Sequence, residues 1–332
     1  MFIVQEYSLA VVFCVITMFC WGSWANTQKL AASTWRFELF YWDYVIGIVL
    51  LSLLFALTLG SIGDGGRGFA ADIRQADSAN ILSAFIGGVV FNAANILLVA
   101  AIAIAGMSVA FPVGIGLALV IGVVVNYLLS PVGNQALLFG GVGLIVIAIV
   151  LNAYAYRKMT AGRVGGLSTK GLLLSIVSGA MMGLFYKYVA ASMFPDFSDP
   201  LPGKLSPYTA VFFFSIGILL SNLVFNSLLM RFPFSGAAVT YKEYFRGSFS
   251  NHVTGVLGGV IWCVGMSFSI LASGEAGPAI SYGLGQGATV IAALWGIFIW
   301  KEFRNAPKGT NTILTVMLLL FVVGLGMIIA AR

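Results

Sequence analysis

Residues 87–116, GGVVFNAANILLVAAIAIAGMSVAFPVGIG, align without a gap on residues 258–287, GGVIWCVGMSFSILASGEAGPAISYGLGQG. Eight of the 30 positions are identical: Gly87/Gly258, Gly88/Gly259, Val89/Val260, Ala101/Ala272, Ala105/Ala276, Gly106/Gly277, Gly114/Gly285 and Gly116/Gly287. Shared composition accounts for part of this agreement, because both stretches are apolar and rich in glycine. Their rank in the chain argues for more. A bilayer core about 30 Å thick takes roughly 20 apolar residues as a helix. Runs of that kind fall near 8–28, 41–60, 81–102, 107–129, 135–156, 171–192, 208–230, 252–273, 277–300 and 311–331. The matched stretches are spans three and four of one set of five and spans three and four of the next, each a tight helical hairpin.

Ten apolar runs in two matched fives predict an all-α integral membrane protein of ten transmembrane helices, built as two five-helix repeats, 1–160 and 161–332. Five is odd, so the second repeat enters the bilayer from the opposite side and is inverted. Inverted halves around a midplane site are a common construction of secondary transporters. Channels, receptors and membrane enzymes need no such symmetry. A β-barrel is disfavoured, because its strands would alternate polar and apolar residues in short segments.

Composition agrees. Of 332 residues, 60% are hydrophobic and 8% charged, against about 25% charged in soluble domains. Such a chain cannot cover its surface with polar groups, so lipid must surround most of it, and a multi-pass place in the cell (inner or plasma) membrane is expected. The net charge of +6 reads as loop lysines and arginines that set orientation rather than as a nucleic-acid surface. With the termini on one side, that side holds Arg67, Arg74, Lys204 and Arg332, and the other holds twelve basic residues, including those of the 157–170 loop. The positive-inside rule then puts the termini outside and that loop in the cytoplasm. The N-terminal run lacks a basic n-region and a small-residue cleavage site, so it reads as a first span. Cys14, Cys20 and Cys263 lie in apolar runs as small packing residues, and a single His252 offers no metal site. No cofactor is expected, and nothing in the sequence fixes the oligomeric state.

Polar side chains inside spans cost free energy and face a cavity or a partner helix. The candidate substrate-binding residues are Trp21, Trp24, Asn26, Lys29, Asn92, Asn95, Tyr186, Lys187, Trp262, Tyr282 and Gln286. Amides supply donors and acceptors together, and aromatic faces stack on a sugar or a flat heterocycle, so the set suits a small neutral polar solute. Each residue has a plainer alternative: interhelical hydrogen bonding for the amides, an interface anchor for the aromatics, and snorkelling for the lysines. The glycines of Gly114-x-Gly116 and Gly283-x-Gly285-x-Gly287 read either as a loosened turn lining a cavity or as close helix packing. No Asp or Glu lies deep in a span, since Glu38, Asp43, Glu243, Glu275 and Glu302 are all near edges. A buried carboxylate relay is therefore not legible, and a coupling proton or cation stays open only through an edge residue.

At WGSWANTQK (Trp21–Lys29), YWDY (Tyr41–Tyr44), VIGVVVNYLL (Val120–Leu129), SPYTAVFFFS (Ser206–Ser215) and WGIFIWKEFRNA (Trp295–Ala306) the chain resembles the drug/metabolite transporter superfamily. Within it, the similarity is to the branch of the plant ureide permeases and the bacterial glucose/ribose and rhamnose porters. The resemblance implies ten helices, inverted repeats and alternating-access uptake of a sugar, ureide or nucleobase-like compound, and it places Trp24, Lys29 and Asp43 in family motifs. The Walker-like central loop of the ureide permeases has no counterpart, because Gly165-Gly166-Leu167-Ser168-Thr169-Lys170 lacks the GK[ST] order. Many superfamily members have cytoplasmic termini, opposite to the charge count. The expected activity is a secondary uptake permease. The alternatives are an exporter of metabolites or drugs and, more remotely, a membrane receptor or an embedded enzyme, the last needing a buried catalytic constellation that is missing from the sequence.

Overall fold

The computed structural model describes residues 1–31, 35–105, 107–159, 168–234, 236–304 and 306–332. Most of the basic 157–170 loop lies outside the described residues, and with it the boundary expected at 160/161; so do Gly106 of the hairpin alignment and Asn305. The described chain folds into helices and no strand: α1 (Tyr7–Ser23), α2 (Ala25–Ala31), α3 (Phe37–Leu57), α4 (Phe69–Gln75), α5 (Ser78–Ala105), α6 (Met107–Leu129), α7 (Gln135–Met159), α8 (Thr169–Ser192), α9 (Pro207–Arg231), α10 (Tyr241–Phe245), α11 (Phe249–Ala276), α12 (Pro278–Gly285), α13 (Ala288–Leu294) and α14 (Thr310–Ile329). Among the described residues nine helical stretches are long and apolar enough to cross a membrane. The protein is an all-α, multi-pass membrane protein. At the fourth expected span the described apolar stretch, Val113–Leu129, is shorter than that length.

Three of the long helices begin where a serine caps them. Ser168, Ser206 and Ser248 each accept a hydrogen bond from a backbone N–H of the first turn of α8, α9 and α11, and Pro207 opens α9 at a position whose N–H would have no partner in any case. Two expected spans are not single helices. The first is interrupted at Trp24, after the Gly22-Ser23 pair, a composition at which helices kink. The ninth is split into α12, α13 and a π-helical turn, Trp295–Ile299, with the first break at Gln286 and Gly287.

Packing is closest where backbone meets backbone. α3 lies against α11 and α5 against α9. A side chain at Gly88 would collide with the carbonyl of Phe214, and one at Gly217 with that of Phe85. The other crossing is built alike, with Gly259 against the Tyr44 carbonyl and Gly47 against that of Val256. Small residues let membrane helices approach this closely, where van der Waals contact replaces the hydrophobic effect. Other large contacts join α5 to α8, α6 to α8, α7 to α14, α1 to α11, α3 to α9 and α6 to α7, and α1 also packs on α13.

The two ends of the bundle differ. The N-terminal amine donates to the carbonyls of Gly63 and Gly65, and the segment around α4 is tied to residues 201–206. At the opposite end the ends of α2, α7 and the ninth span meet.

Candidate functional site

The interruption of the first span and the breaks in the ninth face α5, α7 and α8 across a cavity of about 480 Å3. Its floor is aromatic. Trp21 and Trp262 stack with ring centroids 5.9 Å apart, Phe91 lies 4.5 Å from Trp262, and the Trp21 indole donates to the Trp262 carbonyl at 3.2 Å. Trp262 is 5% exposed and Gln286, on the wall above, 8%.

Amides line the walls. The break after α12 places Gln286 in the cavity, and its side chain has no hydrogen-bond partner among the described residues. Asn95 donates to the Tyr41 hydroxyl at 3.1 Å and keeps its carbonyl oxygen as an acceptor. Asn152, from α7, has a buried carbonyl oxygen with no partner among the described residues. Asn26 is committed to its own wall, donating to the Ser23 carbonyl at 2.9 Å and accepting from the Trp300 indole at 2.6 Å.

The mouth carries the charges. Lys29 and Glu302 form an ion pair of 2.7 Å, with 45% and 29% of their side chains exposed. The Tyr156 hydroxyl donates to the second Glu302 oxygen at 2.7 Å, and the Lys29 ammonium sits 4.2 Å above the Trp300 ring. Burial pushes the Glu302 carboxyl up, but the hydrogen bonds from Lys29 and Tyr156 and the Lys29 charge outweigh it, and its pKa lies below the ordinary value. Glu302 reaches this position because the chain reverses after the π-turn. The Trp300 N–H bonds the Trp295 carbonyl, Lys301 takes a positive φ of 51°, and the Glu302 N–H returns to the Gly296 carbonyl at 2.9 Å. π-turns and positive φ at a non-glycine residue both collect at functional sites.

Seven of the residues singled out in the sequence line this cavity: Trp21, Trp24, Asn26, Lys29, Asn95, Trp262 and Gln286. Four stand elsewhere. Asn92 is fully buried between helices, accepting from Tyr41 at 2.9 Å and donating to Ser221 at 2.9 Å. Tyr186 bonds the Ser269 carbonyl at 3.1 Å, and Tyr282 the carbonyls of Met182 and Ala118 at 3.1 and 3.2 Å. Lys187 rests over its neighbour Tyr188 at 4.9 Å. Glu302, Tyr156, Asn152, Trp295, Trp300, Phe91 and Phe185 were not singled out and also line the cavity. Phe91 was reachable, because the hairpin alignment pairs it with Trp262. Glu302 was not, since its edge position in the sequence hides the reversal that turns it inward.

The glycine motif divides between both of its readings. A side chain at Gly287 would collide with the Met18 sulfur and one at Gly283 would press on Val123, while the helix is interrupted at Gln286, between the two glycines. His252 and Asp43 belong to a separate cluster: Asp43 accepts from Trp35 at 3.1 Å and Tyr244 at 2.7 Å, with the His252 ring nitrogen at 2.8 Å. It ties α3, α10 and α11 together beside the cavity rather than within it. Among the described residues no group of side chains suits a metal ion.

The family model described as Ureide permease matches residues 40–170 and 164–331. The chain belongs to the ureide permease family. Ureide permease 1 of Arabidopsis thaliana is 23% identical over 387 residues, covering 100% of this chain and 99% of the relative. Ureide permease 4 of the same plant is 25% identical over 398 residues with the same coverage, and the probable ureide permease A3 of Vigna unguiculata is 22% identical over 93% of this chain. The relatives are named permeases, which are transporters and not enzymes. One solved crystal structure aligns over 96% of both chains with a TM-score of 0.63 at 15% identity, a likeness of fold. The match is to the ureide permeases; the wider superfamily and the bacterial sugar porters rest on the motif resemblance alone.

Proposed function

We propose that this protein is a secondary transporter that takes up a small, neutral, planar solute rich in amide groups, of the ureide or nucleobase type, by alternating access. The observation that carries the reading is the cavity: an aromatic floor of Trp21, Phe91 and Trp262 beneath the amides of Gln286, Asn95 and Asn152. A flat ring gains by stacking on the floor, and its N–H and C=O groups match the Gln286 amide and the free carbonyl oxygens of Asn95 and Asn152. Its volume of about 480 Å3 lies within the ~300–1,000 Å3 of small-molecule sites. The names of the relatives point to ureides. Export of apolar drugs needs no such amides.

Alternating access is supported by an inverted-repeat reading, with α6 counted as a tenth span. Exchanging each span for the one five further on carries α3–α11 into α5–α9, α1–α11 into α5–α8, and α6–α8 into α1–α13, and leaves α7–α14 in place. The two glycine crossings exchange in the same way, Gly88 with Gly259 and Gly217 with Gly47. The cavity opens toward the end that holds Lys29 and Glu302, which the charge count assigns to the cytoplasm. At the other end Ser52, Phe55, Tyr208 and Leu271 enclose no space large enough for a water molecule.

Counterflow in proteoliposomes with allantoin, uracil and a panel of sugars tests the substrate class. Exchange of allantoin or uracil is expected, and exchange of sugars alone, or of nothing, removes the reading. Cysteine labelling at the 157–170 loop of intact cells tests the orientation: a loop labelled from outside overturns the cytoplasmic placement.

A further inference from the structure

Among the described residues that line the cavity, Lys29 and Glu302 alone carry formal charge, and both sit at the mouth. The pair does not bridge the opening like a latch. Lys29 rests on Trp300, whose indole donates to Asn26, and Trp295 donates to Ser23 at 2.9 Å, so the two charges belong to one wall made by α2 and the end of the ninth span. The Glu302 side is held still more firmly. The π-turn, the left-handed Lys301 and the backbone bond from Glu302 to Gly296 all serve to bring one carboxylate back to Lys29. A simple helix end would have left the mouth with Lys29 alone. The segment that follows carries Lys301, Arg304 and Lys308, and Lys158 reaches the Lys308 carbonyl at 3.1 Å, so without Glu302 this wall of the entrance would be cationic.

We propose that Glu302 is the charge-selectivity determinant of this transporter: by cancelling Lys29 at the mouth it admits neutral ureides and rejects those that carry a carboxylate. The inference rests on the ureide reading above. A carboxylate solute must compete with Glu302 for Lys29 and is repelled by it, while the floor offers rings and amides but no cation to replace the lost hydration. A neutral ureide meets neither obstacle. With Glu302 neutral, the Lys29 charge becomes available to the solute, and the discrimination reverses.

The test is competition in proteoliposomes, with unlabelled allantoin and its ring-opened carboxylate, allantoate, each displacing labelled allantoin. In the wild type allantoin should compete better. E302Q should lower the allantoate-to-allantoin ratio of half-inhibitory concentrations by about tenfold or more at low salt, an effect that shrinks as ionic strength rises. K29Q, which leaves the carboxylate unopposed, should raise that ratio, and the double variant K29Q/E302Q should return it near the wild-type value. A ratio unchanged in E302Q, or both competitors weakened equally in a well-folded variant, overturns the proposal and leaves a structural ion pair. If E302Q does not fold, an unchanged ratio in K29Q overturns it independently. A wild type that exchanges no ureide removes the functional reading instead, so the two failures are distinguishable.

Discussion

Ion pairs stand at both ends of the bundle, and two of them, one from each end, Arg67–Asp72 and Lys29–Glu302, differ in burial. At the end carrying the termini, Arg67 and Asp72 lie 3.1 Å apart with the carboxylate wholly buried; at the cavity mouth, Lys29 and Glu302 lie 2.7 Å apart and partly in solvent. Asp72 also accepts the Ser206 N–H at 2.7 Å, at the start of α9, and a Gln75 amide at 3.2 Å, while Arg67 reaches the Leu201 carbonyl at 3.1 Å. That network sews the segment before α5 to the segment before α9. Burial decides the role of each pair. A charge with no water around it depends on every partner and can hold an end shut, whereas a charge at a wet mouth costs little to separate and is free to meet a solute.

The comparison breaks first at Asp72. Asp72→Asn leaves Arg67, whose side chain is 18% exposed, facing a neutral amide where the carboxylate was wholly buried, and removing one member of a buried pair costs up to about 3–5 kcal/mol. Thermal unfolding in detergent should show that loss, while Glu302→Gln costs under about 1 kcal/mol, as half-exposed pairs do. Equal losses would mean that the ends do not differ as described. The next effect lies between the ends, on the cavity wall. Gln286→Ile installs the residue that the hairpin alignment places at Ile115 and removes an amide aimed at the solute. A loss of about 1–3 kcal/mol of binding, read as weaker counterflow affinity at unchanged folded yield, is expected. Asn92→Ala should behave the opposite way. It removes interhelical hydrogen bonds to Tyr41 and Ser221, worth about 0.6 kcal/mol each on average in membranes, so the midpoint of unfolding falls while affinity for the solute holds. A variant that loses affinity at wild-type stability would return Asn92 to the site.

The fold was open to reading because lipid imposes it: nine of the expected spans fall on helical stretches long enough to cross a membrane, two of them interrupted, as backbone polar groups in hydrocarbon must be satisfied internally. Gly88 and Gly259 were visible as identical residues, and their crossings with Phe214 and Tyr44 explain why glycine stands there. Of the candidate site, the residues at interruptions in helices were found, because Trp21, Trp24 and Gln286 are polar or aromatic within apolar runs. Asn92, Tyr186 and Tyr282 carry the same signal and spend it on carbonyls and amides of other helices. Sequence cannot separate the two uses, since both require a polar group in a span. Glu302 was hidden for a different reason. Its place depends on one left-handed residue, Lys301, and no side-chain pattern announces a positive φ at lysine.

The smallest effect concerns pH, and its sign is fixed by the lowered Glu302 pKa. A carboxyl that titrates below its ordinary value of 4.5 when folded binds fewer protons in the folded protein than in the unfolded one. Its contribution to stability is therefore fully present above about pH 4.5 and fades as the pH falls through the lowered folded value. For a half-exposed pair that contribution is at most about 1 kcal/mol. The unfolding midpoints of wild type and Glu302→Gln, compared from pH 4 to 8, should differ by a small constant amount at neutral pH and converge at the acid end. A gap that widens toward acid would mean that the folded protein favours the protonated carboxyl. Burial would then outweigh Lys29 at the mouth, and the contrast with Asp72 would lose its physical basis.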